Sequence, residues 1–405
     1  MIPIAGSAYT YSYATMGEFM AWIIGWDLVL EYAVGAATVA IAWSEYLNKA
    51  LEFVGMNIPY QWCHSPFQTD AATGVHGILN IPAVCILFAL TALLVRGTQE
   101  SAFVNGLIVI AKVVIVVLVI WIGWGFINPA NHTPYIPAPS EFTDSAGITH
   151  KFGGIMGILG AAGTVFFAFI GFDAVSTAAQ ETKNPKRDMP IGILGSLVIC
   201  TVLYVLFAHV LSGVGSLEDF RTVGREGSVA FVISKYMIGY GWLAKFVTLA
   251  ILAGFSSVIL VMLLGQSRVF YSMSHDGLVP KVFSDVHPVH RTPYKSNWLF
   301  FVFTSLFAAF IPGDIVGDMT SIGTLFAFIL VCIGVWMLRV RRPDIERGFR
   351  VPAVPFVSIA GVVVCSAMIY GLGWENWMRL IVWLAIGLVI FFSYSRKHSL
   401  LNKTS

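Results

Sequence analysis

Charge is what this sequence has least of. Only 11% of its 405 residues are Asp, Glu, Lys or Arg and 57% are hydrophobic, whereas a soluble domain carries about 25% charged residues. That shortage excludes an ordinary soluble fold and leaves an all-α integral membrane protein. The formal net charge is +2 and the basic residues form no single stripe, so nucleic acid is not an expected partner. Cys63, Cys85, Cys200, Cys332 and Cys365 are scattered, without the spacing of a disulfide framework or a zinc site. In MIPIAGSAYTYSYATMGE no Lys or Arg precedes an apolar core, which is unlike a signal peptide. The sequence holds no G-x-x-x-x-G-K-[ST], no H-E-x-x-H and no G-x-S-x-G. Missing with them are the usual signatures of an ATP-driven pump, a metalloprotease and a lipase. No stretch resembles a channel's selectivity filter. Neither a cofactor nor enzyme chemistry is expected.

Long apolar runs are what the chain does have. A span needs about 20 residues, and such runs recur at roughly 17–47, 79–95, 103–127, 155–181, 190–213, 243–266, 297–311, 320–338, 355–373 and 378–394. That predicts about ten transmembrane helices in one domain. The intervals 48–78, 128–154, 214–242 and 267–296 are too short to fold alone. With the N-terminus inside, sixteen of the 24 Lys and Arg fall in cytoplasmic loops and seven outside. The asymmetry follows the positive-inside rule and predicts a multi-pass protein of the lipid bilayer with both termini cytoplasmic.

The remaining basic residue, Lys112, falls about nine residues into the third run, ~14 Å along a helix axis. It is either a snorkelling or salt-bridged lysine, or a group whose proton comes and goes as a site opens to each side. In the first run, Asp27 and Glu31 have i, i+4 spacing and share one helix face. They either cap buried donors of neighbouring helices or bind a cationic group or relay protons. Glu18 and Glu45 lie near helix ends, where solvation explains them.

The fourth run carries VFFAFIGFDAVSTAAQETKNPKRDMP, Val165 to Pro190. Glycines before Val165 read as a helix-packing face. Gly171 and Asp173 read differently, because a discontinuity there would aim freed backbone groups and half-helix dipoles at a zwitterion. Tyr204 is either an interior tyrosine or a hydroxyl lining the pathway. Ser256 and Ser257 either bond back to their own helix or shape a pocket. His209 reads as a satisfied helix histidine, and the pair His287 and His290 does not read as a metal site.

Three stretches, GSAYTYSYATMGEFMAWIIGWDLVLEY, VFFAFIGFDAVSTAAQETKNPKRDMPIGI and GQSRVFYSMSHDGLVP, closely resemble the amino acid, polyamine and organocation (APC) transporters, in particular the cationic amino acid transporter branch and its bacterial relatives. The resemblance implies an inverted-repeat transporter fold of twelve helices. Residues 1–127 would then hold family helices 3 to 5, 155–338 the second repeat of helices 6 to 10, and 355–394 two peripheral helices. By the same resemblance Lys112 takes the place of a sodium ion and couples a proton to transport. Phe167 covers the substrate, and the backbone of Ala168, Phe169, Ile170 and Gly171 forms the unwound segment. Asp27 and Glu31 lie near the pocket on helix 3, Tyr204 on helix 7, and Ser257 on helix 8, where it helps set side-chain size. Asp173, just past the break, becomes a structural or gating acid.

The family pattern places two further helices before Gly6, so the chain is expected to be N-terminally truncated relative to that pattern. These readings predict a plasma-membrane permease moving a cationic or small neutral amino acid with a proton. The alternative is a truncated, non-transporting membrane protein or the product of a mis-assigned start.

Overall fold

A computed structural model describes residues 7–70, 73–97, 102–143, 149–172, 182, 184–223, 228–344 and 349–400. Among these, seven helices are long and apolar enough to cross a membrane: Glu18–Glu52, Gly106–Phe126, Arg187–Val214, Gly241–His275, Gly313–Arg341, Val354–Gly371 and Trp374–His398. Ile81–Val95 and Gly154–Phe169 are shorter apolar helices. In chain order the helices are α1 Ser7–Met16, α2 Glu18–Val29, α3 Gly35–Glu52, α4 Ile81–Val95, α5 Ala102–Gly123, α6 Gly154–Val165 and α7 Pro185–Val214. They continue with α8 Leu217–Val223, α9 Ser228–Tyr236, α10 Gly241–His275, α11 Tyr294–Phe310, α12 Gly313–Arg341, α13 Val354–Gly371 and α14 Trp374–Ile390.

The main core forms around α2, α3, α10 and α12, from residues such as Trp22, Leu28, Tyr32, Ile259, Met273 and Leu325. Helices α2 and α3 are one continuous rod, joined by a π turn over Leu30–Val34. This rod runs antiparallel to α10. A methyl on Gly25 would come 2.7 Å from Met273 Sδ and one on Gly35 3.4 Å from Met262 Sδ, and Trp43 Nε1 donates to Ser256 Oγ at 3.1 Å. On its far side the rod meets α14 through indoles. Trp22 Nε1 donates to Gly387 O and Trp26 Nε1 to Trp383 O, each at 2.9 Å, and the Trp26 and Trp383 rings stack at 4.6 Å. Each bond satisfies an indole N–H that apolar surroundings would otherwise strand.

A second, smaller core lies beside the first, built from Val119 of α5, Val210 and Val214 of α7, Ile233 of α9, and Leu243 and Val247 of α10. Its α9 component falls in the interval 214–242 that the apolar runs left as a loop. Ala230, Ile233 and Met237 there repeat at helical spacing on one buried face, a pattern too short to register as a span. The interval 128–154 holds a hairpin of β1 Ser140–Thr143 and β2 Thr149–Phe152, with Glu141 opposite Lys151. Helix α10 outlasts its expected end near residue 266. Gln266, Ser267 and Arg268 interrupt the apolar run, but the buried face continues through Val269, Phe270 and Met273.

Candidate functional site

Helix α6 is where the chain departs from a continuous span. Its glycines let it lie against α13: a methyl on Gly160 would sit 3.0 Å from Gly371 O, and one on Gly163 2.7 Å from Leu372 Cγ. That is the packing face expected of the glycines before Val165. After Val165 the helix tightens into a 3-10 turn over Phe166–Phe169. Ile170 then adopts extended angles, φ −61° and ψ 137°, and Gly171 takes φ +108°, a conformation that side-chain-bearing residues rarely adopt. The break therefore begins a turn before Gly171. Asp173 lies outside the described residues.

The backbone groups freed by the break are partly engaged within the protein. Ile170 N donates to Phe167 O at 3.1 Å, and the Tyr204 hydroxyl of α7 donates to Ala168 O at 2.8 Å. The Tyr204 ring also meets Phe169 edge-on, centroids 5.2 Å apart. Phe167 is half-buried against the main core. On the α12 side Phe328 contacts both flanks of the break, Phe166 at 5.7 Å and Phe172 at 5.2 Å. Sequence reasoning missed Phe328, because a phenylalanine inside an apolar run carries no signal of its own.

Lys112 sits at the middle of α5 and turns towards α10. Its Nζ donates to Ser257 Oγ at 3.1 Å, and Ser257 Oγ in turn donates to Gly254 O at 3.1 Å. The lysine stem lies over Gly254, where a methyl would come 3.0 Å from Lys112 Cδ. Gly254 was not singled out by sequence, yet a side chain there would push the stem back by a few tenths of an ångström. Among the described residues no carboxylate lies within ion-pair distance of Lys112. With its own proton given to Gly254 O, the Ser257 hydroxyl accepts from Lys112 Nζ, which carries N–H groups whether charged or neutral, so the pair accommodates the lysine in either protonation state.

Asp27 and Glu31 are brought elsewhere. Both are fully buried, with Asp27 against the α12 backbone at Gly323, where a methyl would lie 3.2 Å from Asp27 Oδ1. Glu31 lies within the π turn, which widens the helix locally and alters the simple i, i+4 register. The ring of neighbouring Tyr32 covers Gly265, eight residues from Ser257, or ~12 Å along α10. Ser256 bonds back to Leu252 O at 2.8 Å while accepting from Trp43, and His287 Nδ1 accepts the N–H groups of Val289 and His290. His209 stacks on His132 at 4.5 Å.

Residues 1–391 match the family model described as "Amino acid permease". The chain belongs to the amino acid permease family. The permease is 42% identical over 402 residues to the branched-chain amino acid permease BcaP of Bacillus subtilis, covering 99% of this chain and 82% of that protein. It is 37% identical to the methylthioribose transporter of the same organism, with the same coverage of both chains. The vacuolar cationic amino acid transporter 2 of Arabidopsis thaliana is 33% identical over 343 residues, 84% of the permease and 51% of that protein. These relatives are APC transporters, as the three motif stretches implied. The permease is thus a multi-pass membrane transporter and not an enzyme.

Proposed function

We propose that the permease moves an amino acid together with a proton by alternating access, with Lys112 as the coupling group and the Phe166–Gly171 break as the site of the substrate's backbone. The observation that carries this reading is the Lys112–Ser257 pair, a lysine at membrane depth whose hydrogen-bond partner is a neutral hydroxyl. Protonation of Lys112 changes the charge of that pair without requiring its partner to move. A charge change at membrane depth favours whichever facing state solvates it better. The break supplies the other half of the mechanism, since irregular backbone at this depth is tolerated where it lines a cavity or is buried in protein.

The substrate class is a cationic or small neutral amino acid, and one observation favours the neutral one. The relative at 42% identity is named for branched-chain amino acids. Cytoplasmic termini are supported by the loop charges, and a place in the plasma membrane belongs to the same proposal. Residues 155–338 as a second repeat, inverted relative to 1–127, and 355–394 as two added helices follow from the family pattern.

The test is uptake by reconstituted liposomes under an imposed pH gradient, with labelled leucine, alanine, arginine and lysine as probes. Leucine and alanine uptake is expected to rise with an inward proton gradient, and Lys112→Ala to abolish that dependence while the protein remains folded. Unchanged uptake and pH dependence in Lys112→Ala would overturn the coupling role. Preferential uptake of arginine and lysine would overturn the neutral assignment.

A further inference from the structure

The broken segment is held from two sides, by a side chain packed on the main core and by one on a helix that runs on into the smaller core. Phe328 lies on α12, whose Ile322 and Leu325 are part of the main core. Tyr204 lies on α7, whose Val210 and Val214 are part of the smaller one. Phe328 grips Phe166 and Phe172, while Tyr204 grips the Ala168 carbonyl and the Phe169 ring.

The Phe328 contacts depend on the break itself. In a continuous α-helix, residues six apart are separated by ~9 Å along the axis and by about 240° around it, so one ring could not reach both. Phe328 reaches both because the backbone turns at Ile170 and Gly171. Straightening the segment would pull at least one of the two rings away. The same single side chain therefore ties the geometry of the break to the position of α12.

We propose that Phe328 is a positioning residue that fixes the broken segment to the main core, and that its grip is released and remade when the segment moves with α7 between facing states. Rigid cores exchange discrete packings rather than deform smoothly, so a joint between two of them needs a defined contact on each side. Tyr204, which combines a hydrogen bond with a ring contact, is the holder that keeps the segment with α7. Phe328, which holds by ring packing alone, is the holder that lets go. The moving-segment part rests on the alternating-access reading above, whereas the grip itself does not.

Two measurements on the purified, reconstituted permease test this with Phe328→Ala, Phe328→Leu and Phe328→Tyr. Hydrogen exchange reads the grip directly. Amides of residues 166–172 are expected to exchange at least fivefold faster in Phe328→Ala and Phe328→Leu, with α3 and α10 unchanged, and Phe328→Tyr to restore slow exchange. Uptake of labelled leucine reads the motion. Its maximal rate is expected to fall at least tenfold in Phe328→Ala, with KM changed less than threefold, and to recover in Phe328→Tyr. Unchanged exchange at 166–172, or full rescue by Phe328→Leu, would overturn the proposal by showing that the ring contacts do not hold the break. If Phe328→Ala does not fold, the Leu and Tyr variants alone decide it. Failure of the unaltered protein to take up any amino acid would overturn the transport reading, and the exchange result would still decide the grip.

Discussion

The rod formed by α2 and α3 and the helix α7 solve the membrane problem in opposite ways. In the most apolar 18-residue stretch of Glu18–Glu52, 83% of residues are buried inside the protein, and in that of Arg187–Val214 none are. Yet the buried rod is the one that carries Asp27, Glu31 and Ser44. The uncovered α7 is dominated by Val, Ile and Leu over Ile191–Val205. In water the more apolar helix goes inside, whereas in a bilayer polar groups are the ones that need cover by protein, because lipid offers them no hydrogen bonds. Lys112 obeys the same rule from the other direction. It lies on α5, whose most apolar 18-residue stretch is only 11% buried, and is turned to a hydroxyl of α10.

The comparison can be broken most sharply at a pair of glycines. In Gly323→Leu the first side-chain carbon alone would lie 2.9 Å from Leu30 Cβ and 3.2 Å from Asp27 Oδ1. Overpacking of that kind costs about 1–3 kcal/mol, occasionally more. Yield of monodisperse protein and its melting temperature are expected to fall accordingly. Gly195→Leu on α7 meets nothing within 4 Å, and its stability is expected to change by no more than ~0.5 kcal/mol. Equal losses at the two positions would dissolve the distinction between core rod and open flank.

A smaller effect is expected at the seam that joins the rod to α14. Trp26→Phe keeps a ring stacked on Trp383 but removes the indole N–H from Trp383 O, leaving that carbonyl with one partner fewer. A loss of about 1 kcal/mol is expected, readable as a lower denaturation midpoint. A negligible change would mean that the seam is held by ring burial alone.

The smallest effect belongs to the charged link between α8 and α9 beside the second core. Lys235, Ser216 and Tyr236 hold the Asp219 carboxyl well below the usual carboxylate range. A depressed carboxylate stabilises the fold above its unfolded pKa near 3.9 and loses that contribution as pH falls below it. The native protein is therefore expected to melt slightly above Asp219→Asn at pH 7, and that gap to narrow as pH drops from 5 to 3. Parallel pH profiles would show that this exposed network adds nothing.

How far the site could be read from sequence differs from residue to residue. Lys112 announced itself as a lone charge within an apolar run, and Gly171 as a helix-breaking residue followed by an acid. Tyr204 and Ser257 were left with two readings each. The structure gives each a partner, Ala168 O and Lys112 Nζ. Phe328 and Gly254 gave no warning. A phenylalanine and a glycine are common in any span, and what sets these apart is the helix they face. Asp27 and Glu31 were legible as misplaced acids but not as residues of a rod that widens at Glu31, since a local i, i+4 rule says nothing of the π turn between Leu30 and Val34.

Sequence by itself determined that this is a multi-pass membrane protein, where its apolar segments fall, and, through three motif stretches, which family it belongs to. Those properties are written in composition and short-range order. Only the tertiary structure decided which helices became core and which stayed uncovered, that the fourth span breaks a turn early at Val165, and that α7 and α12 hold the break between them. The physical reason is that apolarity tells that a segment spans but not which segment it meets. The pairing is set by close shape fits, a lysine stem over Gly254 or α13 against Gly160, and such fits exist only once two helices lie side by side.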